Sequence, residues 1–254
     1  MGTLDPLASG VLPVGIGNAT RLFDYFLEKQ KTYIAEFTFG VDSDTLDSTG
    51  ILIRGGHVPD EKEIEGILPT FLGDVMQMPP KYSAKNVNGR RGYELARAGI
   101  EFELQPKKVH IYGMRLLGRV EDKPDTFRLE IKCGGGTYIR SLARDIAEGL
   151  CTKAVMSALR RTQSGIFALE NAIPFSLLEQ DPDVAELGKH LIPTESVLPF
   201  DKLILEGKDA EKIFNGMTVK SAQPDGTYKL YREEMFYGIA EVKKGWAKAK
   251  TKLC

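Results

Sequence analysis

Thr126-Phe-Arg-Leu-Glu-Ile-Lys-Cys-Gly-Gly-Gly-Thr-Tyr-Ile-Arg-Ser-Leu-Ala-Arg-Asp-Ile-Ala-Glu-Gly-Leu150 joins a strand pattern to a helix pattern in one run of sequence. Apolar side chains occupy every second position from Phe127 to Cys133, which is typical of a strand with one buried face. The glycines Gly134–Gly136 end that strand. Apolar residues then recur at helical spacing from Tyr138 to Leu150, and Thr137 is suited to cap the helix. The run therefore predicts a strand followed directly by a packed helix.

The neighbouring segments add strands and helices in a mixed order. The predicted strands are Tyr33–Phe39, Val109–Val120 and Thr126–Cys133, and the predicted helices are Ala19–Leu27 and Asp60–Leu72. Asp122–Asp125, which contains Pro124, is the predicted turn between the last two strands. Because the elements do not repeat as strand–helix–strand units, the fold class predicted is α+β, with a mixed, largely antiparallel sheet and helices packed on it.

The end of the chain has the pattern of a separate, small β-domain. The composition shifts near residues 193–200, and a short predicted helix then stops at Asn215-Gly216. Three strand-like runs follow, over Thr227–Arg232, Met235–Glu241 and Trp246–Leu253. We therefore expect one domain over residues 1–195 and a second over residues 196–254.

The composition narrows the class of protein. The chain has 254 residues, of which 42% are hydrophobic and 27% charged, as in ordinary globular proteins. No apolar run is long enough to span a bilayer and no signal pattern follows Met1, so we expect a cytoplasmic protein with no membrane partner. The three cysteines lack CxxC spacing and the three histidines are scattered, so we expect no metal site.

The charge is unevenly distributed although the formal net charge is only −1. Residues 80–115 contain eight Lys or Arg against three Glu, and residues 229–254 contain seven basic against three acidic side chains. Residues 179–195 are acidic instead. Local basic surfaces of this kind attract phosphates, although solvated charged faces would give the same counts.

Asp5 lies in Gly2-Thr-Leu-Asp-Pro-Leu-Ala-Ser-Gly10, close to the start of the chain. An Asp followed by Pro is commonly only a turn or a helix cap. Four further segments, in a fixed order, favour a functional interpretation: Lys31–Tyr33, Pro79–Arg97, Gly136–Arg140 and Leu159–Gly165. Together the five segments resemble the motifs of the TruB family of tRNA pseudouridine synthases, which act on the T-loop uridine at position 55.

The resemblance implies a pseudouridine synthase fold and a set of site residues. Asp5 would be the nucleophile, and Arg140 would pair with it, which keeps a carboxylate ionised and oriented. Tyr33 would stack on the target base and Leu159 would be an apolar wall of the uracil pocket, with Tyr138 also binding substrate. The residues alone leave other interpretations open, because Tyr33 fits a core position on its strand and Arg140 fits an exposed helix face.

The same resemblance assigns an RNA-binding role to the basic stretch. Residues 79–108 would be the family's tRNA-gripping insertion, in which cations and aromatic rings alternate as phosphate contact and base stacking require. The candidate RNA-binding residues there are Lys81, Tyr82, Lys85, Arg90 and Arg91. Arg160 and Arg161 are candidate phosphate-binding or structural cations. The second domain would be PUA-like and would bind RNA.

The implied reaction cuts a uracil from its ribose, turns it and rejoins it through carbon, so no cofactor is expected. The uridine would flip out of its loop between Tyr33 and Leu159. We expect the tRNA T-arm as partner, no obligatory protein partner, and a monomer. Family members carry a strand and a Gly-His pair before the Asp motif; here Met1 stands at that place, and we expect that the family's first segment is missing.

Two other classes of protein stay open from the sequence. The first is a catalytically impaired RNA-binding or tRNA-folding protein. The second is a hydrolase that uses a pair of carboxylates, Asp5 with Asp44 or Asp47, since sugar hydrolysis needs two carboxylates that flank the bond.

Overall fold

The computed structural model describes residues 2–25, 30–83, 86–87, 89–180 and 183–253. The chain forms two compact units. The larger comprises the described residues of Gly2–Leu12 and Lys29–Asn171, and the smaller comprises those of Pro13–Glu28 and Ala172–Cys254. No helix within the described ranges is long and apolar enough to cross a membrane. The domain limit at residues 195 and 196 stays a prediction.

The larger unit is built on a mixed sheet. Its strands are β1 (Ala8–Gly10), β2 (Lys31–Phe39), β3 (Val41–Ser43), β4 (Leu52–Arg54), β5 (Gly73–Gln77), β6 (Asn86–Val87), β7 (Arg90–Arg91), β8 (Lys107–Val120), β9 (Lys123–Cys133), β10 (Ala154–Ser164) and β11 (Phe167–Ala168). Its helices are α1 (Glu61–Ile67), α2 (Gly92–Arg97) and α3 (Ile139–Gly149), with 3-10 turns at Leu68–Phe71 and Leu169–Asn171.

The main sheet has the strand order β1-β10-β2-β9-β8-β5, with β11 paired to β10. The β1–β10 pair is parallel and the remaining pairs of this sheet are antiparallel. One face of β2 and β9 carries Phe37, Phe127, Leu129 and Ile131, which pack with the apolar stripe of α3. The predicted α+β class and its largely antiparallel sheet are therefore confirmed, and the core lies between β2, β9 and α3.

Local chemistry sets where the helices begin and end. Asp60 Oδ1 accepts a hydrogen bond from Glu63 N at 2.8 Å, and Glu63 Oε2 accepts one from Asp60 N at 2.7 Å, so α1 starts with a capping box. The predicted helix over 60–72 is α-helical only to Ile67, because Pro69 lacks an N–H and the chain tightens into a 3-10 turn.

Three sequence expectations about local structure were wrong in detail. Thr137 does not cap α3: Tyr138 is the N-cap without a side-chain cap bond, and Thr137 Oγ1 donates to Gly134 O at 2.9 Å. The predicted helix Ala19–Leu27 is a 3-10 helix over Gly17–Tyr25, and its last two predicted residues lie outside the described ranges. The turn between β8 and β9 is tighter than expected, with Asp122 at a φ of 60°.

The smaller unit is the small β-domain that the sequence indicated. Its strands are β12 (Lys202–Leu205), β13 (Val219–Lys220), β14 (Gly226–Arg232), β15 (Met235–Lys243) and β16 (Trp246–Lys252), in the order β12-β14-β15-β16-β13. Its helices are α4 (Phe175–Glu179), α5 (Val184–Gly188) and α6 (Gly207–Phe214), with a 3-10 turn at Thr194–Val197. Leu230, Ile213 and Ala240 centre a core that belongs to this unit alone.

Candidate active site

Asp5 and Arg140 meet where the segment before β1 passes the start of α3. Arg140 Nη2 donates to Asp5 Oδ1 at 3.1 Å, and Arg140 Nε lies 2.9 Å from Asp5 Oδ2. The second contact is an ion pair without the alignment of a hydrogen bond. The side chain of Arg140 is 7% exposed, whereas that of Asp5 is 35% exposed. A buried cation thus holds a carboxylate whose other side faces solvent, which leaves that carboxylate accessible to a ligand.

Arg140 binds a second carboxylate that lies deeper in the unit. Its Nη1 lies 3.3 Å from Asp47 Oδ2, and the side chain of Asp47 is only 7% exposed. Asp47 Oδ1 accepts hydrogen bonds from Thr45 Oγ1 at 2.7 Å, from Thr49 N at 3.0 Å and from Thr49 Oγ1 at 2.5 Å. Asp47 is therefore fixed from both sides and can orient the guanidinium toward Asp5.

Two backbone carbonyls complete the setting of Arg140. Its Nη1 donates to Thr45 O at 3.2 Å and its Nη2 donates to Tyr82 O at 3.1 Å. The guanidinium is thus contacted from the segment before β1, the β3–β4 loop and the start of the insertion. A planar fork with several donors is needed to satisfy these acceptors at once, and a lysine ammonium could not match them.

The carboxylate-pair hydrolase has no geometric basis in this arrangement. Asp5 and Asp47 contact the same guanidinium, and the oxygens of Asp47 are engaged by Arg140, Thr45 and Thr49. The two carboxylates therefore do not flank an open space in which a glycosidic bond could lie. Asp44 Oδ1 accepts from Ile51 N at 2.9 Å, which makes it part of a loop structure.

Tyr33 lies on β2 and is buried. Burial raises the pKa of its phenol to about 12, and the nearby carboxylate of Asp5 contributes to this increase while Arg161 lowers the pKa. The side chain belongs to the core cluster, as the structural interpretation of its strand position predicted. It also lies within electrostatic range of Asp5, whose charge contributes to the raised pKa of the phenol.

Arg161 is the buried cation that the sequence left as either phosphate-binding or structural. It is 1% exposed, and its Nε donates to Val11 O at 2.8 Å while its Nη2 donates to Gly2 O at 3.2 Å. Its guanidinium also lies near the Tyr33 phenol and lowers the pKa of that group. No carboxylate of the described residues lies within ion-pair distance of it. Arg161 therefore secures both ends of the segment that carries Asp5, whereas the neighbouring Arg160 is exposed.

Backbone geometry also constrains this segment. Gly10 has a φ of 111°, and a Cβ there would collide with the carbonyl oxygen of Arg161. Only glycine permits so close an approach between β1 and β10. Ala8 pairs with Leu159 in the parallel ladder, so buried Leu159 lies beside the segment that carries Asp5.

The remaining predicted residues lie at the start of the insertion and of α3. Tyr82 and Tyr138 are half-buried near Arg140, and Lys81, Arg90 and Arg91 are exposed. Lys85 lies outside the described residues. Within the described ranges no group of three His, Cys, Asp or Glu side chains is placed to hold a metal ion.

Comparison with known proteins identifies the family. Residues 1–139 match the model of the TruB family pseudouridylate synthase (N terminal domain), and residues 140–199 match that of the tRNA pseudouridylate synthase B C-terminal domain. The chain belongs to the TruB family. It is a pseudouridine synthase and hence an isomerase, so both the expected family and the expected enzyme class are confirmed.

The similar curated proteins cover nearly all of the chain. A protein from Francisella philomiragia named tRNA pseudouridine synthase B is 38% identical over 250 residues, which are 96% of this chain and 81% of that protein. A protein of the same name from Caldanaerobacter subterraneus is 38% identical over 96% of this chain and 85% of its own length.

The fold has solved counterparts. A chain in the crystal structure of a Cbf5-Nop10-Gar1 complex superposes with a TM-score of 0.65 at 21% identity, covering 100% of this chain and 75% of that one. At this identity the likeness concerns the fold alone. It confirms the pseudouridine synthase fold for this TruB chain, whose smaller unit fits a PUA-like β-domain.

Proposed function

We propose that this TruB chain converts the T-loop uridine at position 55 of tRNA to pseudouridine, with Asp5 as the nucleophile. The names of its relatives support tRNA as the substrate. The observation that carries the proposal is the half-exposed carboxylate of Asp5, held by the buried guanidinium of Arg140 at 2.9 Å. A carboxylate that is oriented by an arginine and lies beside an apolar side chain is suited to attack an electron-poor carbon.

The reaction is balanced without any added reactant. The bond between N1 of uracil and C1′ of ribose breaks, the base turns, and a bond forms between C5 and C1′. The proton leaves C5 and N1 gains a proton, so substrate and product are isomers. Asp5 can take part by attack on C1′ or on the base, and either route uses the same oriented carboxylate.

We propose that the target base leaves its stack to reach Asp5, because one side of this carboxylate is held by the buried Arg140 and only 35% of the side chain is exposed. We propose that the flipped uracil lies between Tyr33 and Leu159, next to Tyr138. Tyr33 is 8% exposed, so entry of the base requires its ring to become accessible. The RNA backbone and the loop would be held by residues of the insertion, namely Lys81, Tyr82, Lys85, Arg90 and Arg91. The T-arm would be recognised chiefly by its shape.

The residues of this site all belong to the larger unit of one chain, which supports action as a monomer. Light scattering on the purified protein, alone and with RNA, checks this directly. A mass of two chains in both conditions would contradict it.

Replacing Asp5 by Asn tests the nucleophile, because the amide keeps the shape and removes the charge. We expect Asp5→Asn to abolish pseudouridine formation on a T-arm stem-loop while RNA affinity stays within about threefold of the parent's, since the proposal assigns phosphate binding to the cations of the insertion and not to Asp5. Release of tritium from RNA labelled at uridine C5 measures the reaction.

The matched control is Asp24→Asn, because Asp24 is an exposed aspartate of the smaller unit. It should convert RNA at the parent rate. The nucleophile assignment fails if Asp5→Asn retains more than a tenth of the parent rate. A stem-loop with cytidine in place of the target uridine should release no label with either enzyme.

A further inference from the structure

Gln77, the last residue of β5, bridges two distant parts of the chain. Its Nε2 donates to Tyr138 O at 3.1 Å, and its Oε1 accepts from Tyr138 N at 2.8 Å. The side chain is 3% exposed. One amide therefore satisfies both backbone groups of Tyr138, as a neighbouring strand would. Tyr138 is the N-cap of α3, so this bridge is made where the helix that carries Arg140 begins.

The residues after Gln77 are bound to the same helix. Met78 O accepts hydrogen bonds from Ser141 Oγ at 2.8 Å and from Arg144 Nη2 at 3.1 Å. Tyr82 O accepts one from Arg140 Nη2 at 3.1 Å. The carbonyls that β5 would leave unpaired as it enters the insertion are thus satisfied by donors from the first half of α3. The base of the insertion and the start of α3 form one hydrogen-bonded body.

We propose that Gln77 is a positioning residue for the reaction: it docks the base of the insertion on the start of α3 and thereby fixes Arg140 against Asp5. The proposal rests on the proposed function, in which Asp5 is the nucleophile. Gln77 itself contacts neither Asp5 nor the reacting base. It acts through the backbone of Tyr138, two residues before the guanidinium whose contact with Asp5 sets the aim of the carboxylate.

The size of the expected effect follows from the precision that the contact demands. Displacement of a reacting group by about 1 Å can lower a rate on the order of a hundredfold. Without Gln77, the Tyr138 N–H loses its partner and Tyr138 O keeps only the helical hydrogen bond from Leu142 N, so the start of α3 is free to shift. Tyr82, at the start of the insertion, also contacts Arg140 through its backbone carbonyl.

Gln77→Met is the main test, because methionine keeps the length and removes both hydrogen bonds. We expect the single-turnover rate at saturating enzyme to fall at least about tenfold, while the dissociation constant for the T-arm RNA stays within about threefold. The matched control is Ile146→Val, a fully buried position on the same helix. It should lower the thermal midpoint and leave both kinetic quantities unchanged. All rates are measured well below the lowest thermal midpoint of the set.

Gln77→Glu gives a pH readout that a loss of stability alone would not give. The ionised carboxylate can accept from Tyr138 N but cannot donate to Tyr138 O, and it repels that carbonyl. The protonated carboxyl group can donate, and burial raises the pKa of a carboxyl group at such a site. The rate of Gln77→Glu relative to the parent should therefore increase as the pH falls from 8 to 6, whereas the relative rate of Gln77→Met should not change with pH.

The outcomes separate this proposal from the proposed function. If Asp5→Asn retains more than a tenth of the parent rate, the proposed function fails. If Asp5→Asn is inactive and Gln77→Met reacts within threefold of the parent, only the role of Gln77 is overturned. It is also overturned if the defect of Gln77→Met lies wholly in affinity. If Gln77→Met does not fold, the rate of Gln77→Glu relative to the parent is compared at pH 6 and pH 8. A relative rate that does not change with pH rejects the positioning role of Gln77.

Discussion

Arg140 is the residue on which the site depends, because one guanidinium serves two carboxylates with different exposures. Asp5 faces solvent on one side, whereas Asp47 is buried. The buried carboxylate compensates the charge of the cation and fixes its orientation, and the exposed one remains available for chemistry. Two charges removed from water need such complete pairing, since a buried ion without its partner is costly.

Asp47→Asn tests this division at the residue scale. The amide oxygen can replace Oδ1 as acceptor for Thr45 and Thr49, but the amide NH2 would then face Arg140 Nη1, donor against donor. We expect the single-turnover rate to fall by about tenfold or more, because Arg140 is no longer held in place. The free energy of unfolding should decrease by about 1–3 kcal/mol, the usual cost of leaving a buried polar group unsatisfied.

Denaturant unfolding and single-turnover kinetics on the same preparation check both values. Asp44→Asn, in the same loop but outside the guanidinium contacts, is the control and should keep the parent rate. An Asp47→Asn protein as fast as the parent would mean that Arg140 keeps its position without the charge of Asp47.

At the scale of elements, the paired strands β2 and β9 place two titratable side chains in the core. Burial raises the pKa of Tyr33 to about 12 and that of Cys133 to about 11. Each group is neutral in its protonated form, and the unfolded chain releases these protons at a lower pH than the folded chain. The folded state therefore holds more protons at alkaline pH, and its stability must fall as the pH rises.

The predicted window follows from these pKa values. The contribution of Cys133 should disappear between its ordinary value of 9.0 and about 11, and that of Tyr33 between 10.0 and about 12. Each group lowers the free energy of unfolding by at most about 1.4 kcal/mol per pH unit. Urea unfolding at pH 8, 9, 10 and 11 measures the slope. Tyr33→Phe should flatten it above pH 10, and an unchanged slope there would show that the phenol ionises freely in the folded protein.

Strands with a regular period could be predicted from the sequence, and short or irregular elements could not. The alternation in Tyr33–Phe39 and Phe127–Cys133 predicted β2 and β9 because one face of each is apolar. Strand β1 has only three residues and is defined by its parallel ladder with Leu159–Arg161, a partner that local sequence does not reveal. Thr137 was predicted as the cap because the sequence does not show that Gln77 binds the start of α3.

The candidate site could be predicted only in part, because some of its contacts depend on how distant segments of the chain fold. The motifs brought Asp5 and Arg140 together, although 135 residues separate them, and the structure places them in contact. Asp47 was weighed only as a second catalytic carboxylate, because its contact with Arg140 depends on how the β3–β4 loop folds. The acidic composition of that loop was the feature of the sequence that could have indicated this contact. The role of Arg161, phosphate-binding or structural, could not be predicted from the sequence. Charged side chains are seldom fully buried without a partner of opposite charge, so its strand position gave no reason to expect burial.

At the scale of the whole molecule, a formal net charge of −1 must be reconciled with a polyanionic substrate. The sum is small because acidic stretches such as residues 179–195 offset the basic ones, and RNA responds to the local surface. Lys81, Arg90 and Arg91 are exposed at the insertion, in contrast with the buried Arg140 and Arg161. Arg140 and Arg161 are thus placed to hold the chain's own backbone, and Arg140 also its carboxylates, whereas the side chains of Lys81, Arg90 and Arg91 lie at the surface.

This division predicts how salt should act on RNA binding. Each phosphate contact that releases a counterion contributes about one unit to the slope of log K against log salt concentration. Replacing Lys81, Lys85, Arg90 and Arg91 by Gln should therefore weaken binding of the T-arm RNA and reduce the slope by up to about one unit for each phosphate-binding cation that is removed. The control replaces an equal number of exposed cations, Arg54, Lys62, Lys123 and Lys153, so that the total charge matches. If the long-range field of the whole chain governed binding, both sets would change the slope equally. If the insertion holds the phosphates, only replacement of the first set will reduce the slope. Binding titrations between 50 and 300 mM salt distinguish these two outcomes.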